Sequence, residues 1–154
     1  MATVTLKNIG SLTKRLNKIA EMDIQKRMVE ATKVVHAEAK NLAPVDTGNL
    51  AGSIHMEVKK QGKNYQGRVF TNVTYAPFVE FGTGIKGNGT YPYKLKNITL
   101  VYKNKKWLAH IPKIGWRYVS GQVAQPYMYP ALKHNEKYVR QILSQGVKEA
   151  VKGG

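Results

Sequence analysis

The sequence has no cysteine. Disulfides, thiolate metal sites and a cysteine nucleophile are therefore excluded, and the chain suits a reducing compartment. It is also poor in acid, with 9 Asp and Glu against 25 Lys and Arg and a formal charge of +16 over 154 residues. Carboxylates this sparse form no evident pair for general acid–base chemistry. No apolar run approaches the length needed to cross a bilayer, and the opening MATVTLKNIG lacks the basic-then-apolar order of a signal peptide. His36, His55, His110 and His134 show no metal-ligand spacing, and Ser53, Ser120 and Ser144 lack the context of a nucleophile elbow. No catalytic constellation, metal site or cofactor site emerges.

What is abundant is positive charge, and it is unevenly placed. Between Glu80 and Glu136 there is no acid, while Lys86, Lys94, Lys96, Lys103, Lys105, Lys106, Lys113, Arg117 and Lys133 fall inside that span. A field of one sign attracts nucleic acid or an acidic protein surface, and it serves equally as a plain solvated face. With 42% apolar residues the chain can bury a core, and its length suits a single domain over residues 1–154.

Periodicity orders the chain. Leu12, Leu16 and Ile19, then Ile24, Met28, Ala31, Val35, Ala39 and Leu42, form one helical stripe. A break is expected at Glu21-Met22-Asp23, with Asp23 capping the second segment. Pro44 ends the helix, and His36 falls on its polar side, where it is expected to face solvent. The period then changes to two: Ile54, Met56 and Val58 alternate with polar residues, KKQGKNYQG turns, and RVFTNV returns. YAPFVEF reads as one helical turn with Pro77 near its start. NITLVYKN and KWLAHIP are expected to form a second hairpin turning at Lys103-Asn104-Lys105, with GWRYVSG as a further short strand. The last helix carries Leu132, Val139, Ile142, Leu143, Val147 and Ala150, and Gly146 weakens it by about 1 kcal/mol relative to alanine. The expected fold class is α+β, an antiparallel β-sheet with a long N-terminal helix and a C-terminal helix packed on one face.

Two short motifs suggest chemistry, and both fail on context. Gly82, Gly84 and Gly87 in EFGTGIKGNGTYP match G-x-G-x-x-G, the spacing that holds a pyrophosphate at a helix N-terminus. Here Gly89-Thr90-Tyr91-Pro92 blocks an early helix, the next acid after Glu80 is Glu136, and no G-K-[ST] follows. The segment is expected to be a mobile loop whose glycines confer freedom, with Lys86 inside it. Asp46-Thr47-Gly48 matches the turn of aspartic proteases, but it occurs once and follows a helix instead of a strand. It reads as a turn in which Asp46 or Thr47 accepts backbone N–H groups and Gly48 allows the tight geometry.

Three segments occur in order: LAPVDTGNLAGSI (42–54), YAPFVEFGTG (75–84) and AQPYMYPAL (124–132), between an N-terminal and a C-terminal helix. This set resembles a family of small tail-component proteins of long-tailed phages, described as neck, head–tail joining or tail-completion proteins. The resemblance runs from about Ile9 to about Val147 and is weaker from Lys94 to Gly121. A variable insertion carrying its own hairpin is expected at about 84–121. By position, Pro44, Asp46, Thr47, Gly48, Leu50, Ser53 and Ile54 match the family's helix-to-strand turn. Tyr75, Ala76, Glu80, Phe81, Gly82 and Thr83 match its second motif, and Pro126 with Pro130-Ala131-Leu132 matches its last-helix entry. The resemblance implies no enzyme activity and no cofactor. It implies a virion protein at the neck or tail end, assembled in the bacterial cytoplasm into a ring around the DNA channel. The implied partners are further copies of itself and the adjacent head-closure, connector, tail-terminator or tail-tube proteins, with non-specific DNA in the lumen and no membrane. A free-standing basic nucleic-acid-binding protein is the alternative.

Within that reading, Glu80 is expected to accept hydrogen bonds from the turn near Thr47 and Gly48, since a buried carboxylate requires a partner; the alternative is an exposed glutamate on a helical turn. The Gly82–Gly89 loop with Lys86, and the hairpin tip with Lys103, Lys105 and Lys106, are the candidate contact surfaces. Trp116 and Tyr127 suit an interface and a core equally. The lysines are expected to meet an acidic protein rim in preference to DNA.

Overall fold

Helix α1, Ile9–Leu42, runs for 34 residues without interruption. The fold is that of a computed structural model, which describes residues 9–45, 48–62 and 64–152. The expected break at Glu21-Met22-Asp23 is absent, and Asp23 lies inside the helix instead of capping one. Nothing in those three residues removes a backbone donor, and tertiary contacts hold the turn: Lys60 Nζ lies 2.7 Å from the Glu21 carboxylate, and the Tyr65 hydroxyl donates to the Glu21 carbonyl at 3.4 Å. One Asp23 oxygen is buried without a hydrogen-bond partner among the described residues. Pro44 does stop the helix, whose last bond runs from the Ala43 N–H to the Ala39 carbonyl.

The remaining elements follow in order as α2 (Asn49–Gly52), β1 (Ile54–Gln61), β2 (Asn64–Thr71), α3 (Ala76–Phe81), α4 (Gly84–Gly87), β3 (Trp107–Ile111), β4 (Gly115–Val119) and α5 (Met128–Lys152). The class is mixed α+β as expected, but the strands form two separate two-stranded antiparallel sheets, β1-β2 and β3-β4. The chain divides into two compact units, each gathered from separate stretches instead of being cut at a linker. The first comprises Met1–Val35, Met56–Val69 and Asn135–Gly154; the second comprises His36–His55 and Phe70–His134.

In the first unit, α5 approaches α1 closely. A Cβ on Gly146 would come 2.6 Å from the Arg27 Cγ, so the glycine that weakens α5 as a helix is what makes room for the Arg27 side chain of α1. Ile142 is buried, while Val139 and Leu143 are half-buried. The side chains of Leu12, Leu16, Ile19, Val147 and Ala150 lie outside the described residues.

In the second unit, Ala39, Ala43, Leu50, Ile54, Ala76, Tyr127 and Ala131 form the buried core. Leu132, expected on the apolar stripe of α5, is exposed, because Ala131 takes the inward position. His36 is half-buried and its Nε2–H donates to the Ile54 carbonyl at 2.9 Å, so it ties α1 to β1 instead of facing solvent.

The second hairpin lies later in the chain than its expected position. Residues 97–104 form no strand, and β3 pairs with β4 in the register Leu108↔Tyr118, His110↔Trp116. The turn is Ile111-Pro112-Lys113-Ile114, closed by the Ile114 N–H to the Ile111 carbonyl at 3.0 Å. Proline at its second position followed by Lys113 at φ 68° is the type II pattern. Lys103-Asn104-Lys105 therefore leads into β3 and is not a hairpin tip.

Candidate functional site

Glu80 links two of the three family-like segments. It is only 5% exposed, on the last turn of α3. Its Oε2 accepts the backbone N–H groups of Tyr127 and Met128 at 2.8 and 2.9 Å, and its Oε1 accepts that of Tyr129 at 3.2 Å. These belong to the first turn of α5, where backbone donors have no intrahelical partner. The next position is Pro130, which has no N–H, and the Ala131 N–H makes the first intrahelical bond, to the Tyr127 carbonyl at 3.3 Å. One carboxylate and one proline thus satisfy or remove every orphan donor at this helix start, and the negative charge complements the helix dipole. Glu80 does have the partner that burial demands. Among the described residues that partner is the entry to α5 and not the Gly48 turn; Asp46 and Thr47 lie outside the described residues.

The first segment joins the second by other bonds. Gly48, at φ 74°, precedes α2, as a tight turn requires. Asn49 Nδ2 donates to the Tyr75 hydroxyl at 3.4 Å. The Ser53 hydroxyl donates to the Leu50 carbonyl and meets the Thr71 hydroxyl, both at 2.7 Å.

The glycine-rich segment is neither a nucleotide cradle nor a mobile loop. Thr83 exchanges backbone bonds with Gln122, its N–H donating at 2.9 Å and its carbonyl accepting at 3.1 Å. The Lys86 N–H reaches the Ser120 carbonyl, and the N–H groups of Gly87 and Asn88 close back on Thr83 and Gly84. A phosphate loop works by presenting free N–H groups; these four are engaged. Gly82 and Gly121 both have positive φ, 76° and 90°, and face crowded backbone. A Cβ on Gly82 would lie 2.7 Å from the Ala124 nitrogen, and one on Gly121 would overlap the Thr83 carbonyl. The glycines are there because two main chains meet at van der Waals distance. The resulting clasp joins the two ends of the segment 84–121.

Aromatic packing extends the clasp. Ring centroids run Phe81–Tyr91 at 5.1 Å, Tyr91–Tyr93 at 5.6 Å and Tyr93–Tyr129 at 4.6 Å. Burial, with the Glu80 charge adding to it, raises the Tyr91 phenol above its ordinary pKa and pushes that of Tyr127 up to about 12. Trp107 lies over Gly84, and Lys103 sits 5.0 Å above the Trp107 ring.

Two open surfaces stand out among the described residues of the second unit. One is a groove of about 1000 Å³ whose lining includes Pro44, Leu50, Tyr75, Phe78, Phe81 and Tyr102. The other is the outer face of the β3–β4 hairpin, where Leu108, His110, Trp116 and Tyr118 are all exposed. Of the candidate interface residues, Lys86, Lys103, Lys105 and Lys106 are exposed, as is Trp116 at 66%. Tyr127 is 1% exposed and belongs to the core, held there by its own backbone bond to Glu80. Among the motif residues, Pro44, Phe81 and Pro126 are half-buried, and Gly82 and Pro130 are buried. Sequence reasoning missed Gln122, Gly121 and Thr90, whose hydroxyl accepts the Ala124 N–H at 2.9 Å. The Ser120-Gly121-Gln122 stretch carried a glycine as its only signal.

The family described as "Bacteriophage HK97-gp10, putative tail-component" matches residues 6–82, half of the chain. That match takes in the first segment and most of the second, and ends where the clasp begins. No curated protein and no solved structure matches.

Proposed function

The chain belongs to this bacteriophage tail-component family, and from that premise we propose that it is a structural subunit of the head-to-tail connection of the virion. In this role copies of the chain close into a ring, at the neck or tail end, around the channel that DNA crosses. A ring of identical subunits needs a head-to-tail lateral contact whose rotation closes. The apolar groove along α3 is the lateral candidate, and axial faces meet the proteins of head and tail.

The observation that carries this reading is what Glu80, inside the family match, and the clasp just beyond it do. Glu80 and the backbone N–H groups of Thr83, Lys86 and Gly87 are engaged in holding the second unit together. Groups so committed suit a shell component better than a site that must bind and release a substrate. The basic span from Lys86 to Lys133 favours one other reading, a free-standing nucleic-acid-binding protein. Deleting the gene from its phage separates them. Loss of infectivity with heads and tails left unjoined, and multiple copies of the chain in purified virions, supports the structural role. Normal particles that lack the chain contradict it.

A further inference from the structure

The hairpin face carries the inference furthest. The β3–β4 register puts Leu108 beside Tyr118 and His110 beside Trp116 on one side of a two-stranded sheet. That side is open, with Tyr118 74% and Trp116 66% exposed, while Trp107, Ala109, Ile111 and Val119 on the other side are half-buried. Lys113 is exposed at the turn, and Arg117, paired with Ala109, is exposed on the opposite side. We infer that this face docks on a different virion protein, one whose surface is acidic around an apolar centre. The inference rests on the structural role proposed above.

Three observations select that partner. First, the face combines exposed tryptophan and tyrosine with Leu108, and Ile114 is exposed at the turn beside it. This is the composition of a protein–protein hot spot. Phosphates have no use for aliphatic side chains, so the face is unlike a duplex-binding one. Second, Lys86, Lys94, Lys96, Lys103, Lys105, Lys106, Lys113 and Arg117 make no ion pair among the described residues, so their complement comes from outside. Third, the described residues offer no acidic patch in return. Glu21, Glu30, Glu57 and Glu136 pair with Lys60, Arg27, Lys59 and Arg140, Glu38 faces His134, and Glu80 is buried. Two copies meeting through this face would set like charges together, which costs affinity. The contact is therefore heterotypic, and the lateral contacts of the ring lie elsewhere.

The test uses the purified full chain and three probes: a random copolymer of glutamate and tyrosine, polyglutamate of equal charge, and random-sequence duplex DNA. The wild type is expected to bind the copolymer more tightly than polyglutamate. The double variant Trp116→Ala/Tyr118→Ala should lose that preference, by about tenfold, with duplex affinity and sedimentation unchanged. Lys113→Glu, at the exposed turn, should also weaken copolymer binding and keeps the test open if the aromatic variant misfolds. Equal binding of the two polymers by the wild type, or undiminished copolymer binding by both variants, overturns the inference. So does loss of the oligomer in the aromatic variant, which would mark a self-contact, or loss of duplex affinity, which would mark a nucleic-acid face. If the chain proved absent from virions, the structural role would fall whatever the copolymer result.

Discussion

In the first unit Lys60, Lys59, Arg140 and Arg27 lie 2.7, 2.8, 2.7 and 3.3 Å from a carboxylate. In the second, cations from Lys86 to Arg117 have no such neighbour among the described residues, and the unit's buried acid, Glu80, faces backbone N–H groups. The same basic chain thus treats charge in two ways. One unit neutralises part of its surface locally. The other is held by backbone bonds, glycine contacts and aromatic packing, and leaves its cations pointing outward. That division suits a subunit in which one region must recognise something anionic without distorting its own fold.

The comparison can be broken most forcefully at the clasp. Gly121→Ala places a Cβ against the Thr83 carbonyl at φ 90°, and a loss of about 4 kcal/mol is expected from strain and overlap together. Gly89→Ala, at φ 74° in open space, should cost about 1 kcal/mol, the left-handed penalty alone. Thermal unfolding checks both; equal losses would mean that the clasp is not close-packed.

Next comes the buried acid. Glu80→Ala leaves three N–H groups at the start of α5 without their acceptor, and a loss of about 3 kcal/mol is expected. Glu80→Gln keeps one acceptor oxygen and should lose roughly half as much. Denaturant titration measures the pair, and a neutral Glu80→Ala would remove the link between the two segments.

Charge reversal is expected to act weakly and with opposite sign in the two units. Lys105→Glu/Lys113→Glu relieves like-charge crowding and should stabilise by no more than about 0.5 kcal/mol at low salt, fading as salt screens it. Lys60→Glu sets a second acid against Glu21 and should destabilise. Melting curves at low and high salt distinguish these, and equal signs would erase the contrast.

The smallest effect lies at alkaline pH. Tyr127 ionises near 12 in the folded chain against 10.0 for an ordinary phenol, with burial the main cause. The unfolded chain gives up that proton first as pH rises. Its contribution to stability is therefore present below pH 10 and lost as pH climbs through the folded value. Tyr127→Phe should show a shallower fall in melting temperature over that window than the wild type.

Local patterns were legible in the sequence, and long-range meetings were not. Apolar spacing located α1 and the β1–β2 hairpin, and Pro44 marked the end of α1, because each depends on neighbours a few positions away. Asp23 looked like a cap because it could be one; Lys60 and Tyr65, which hold its turn, come from another element. Glu80 needed a partner on burial grounds alone, yet nothing local names the Tyr127–Tyr129 backbone as that partner. The glycines of residues 82–87 fit a nucleotide spacing by coincidence, since their reason is the backbone passing at Ser120–Gln122. The Ile111-Pro112-Lys113-Ile114 turn is legible in its proline, and the lysine run at 103–106 competes with it as a polar turn signal.

Reconstruction of a virion or tail that contains the chain tests the central claim most directly. The expected density is a closed ring of subunits with the outer faces of their β3–β4 hairpins seated on an acidic surface of a different protein. A hairpin left in solvent, or packed on a second copy of the same chain, would contradict it.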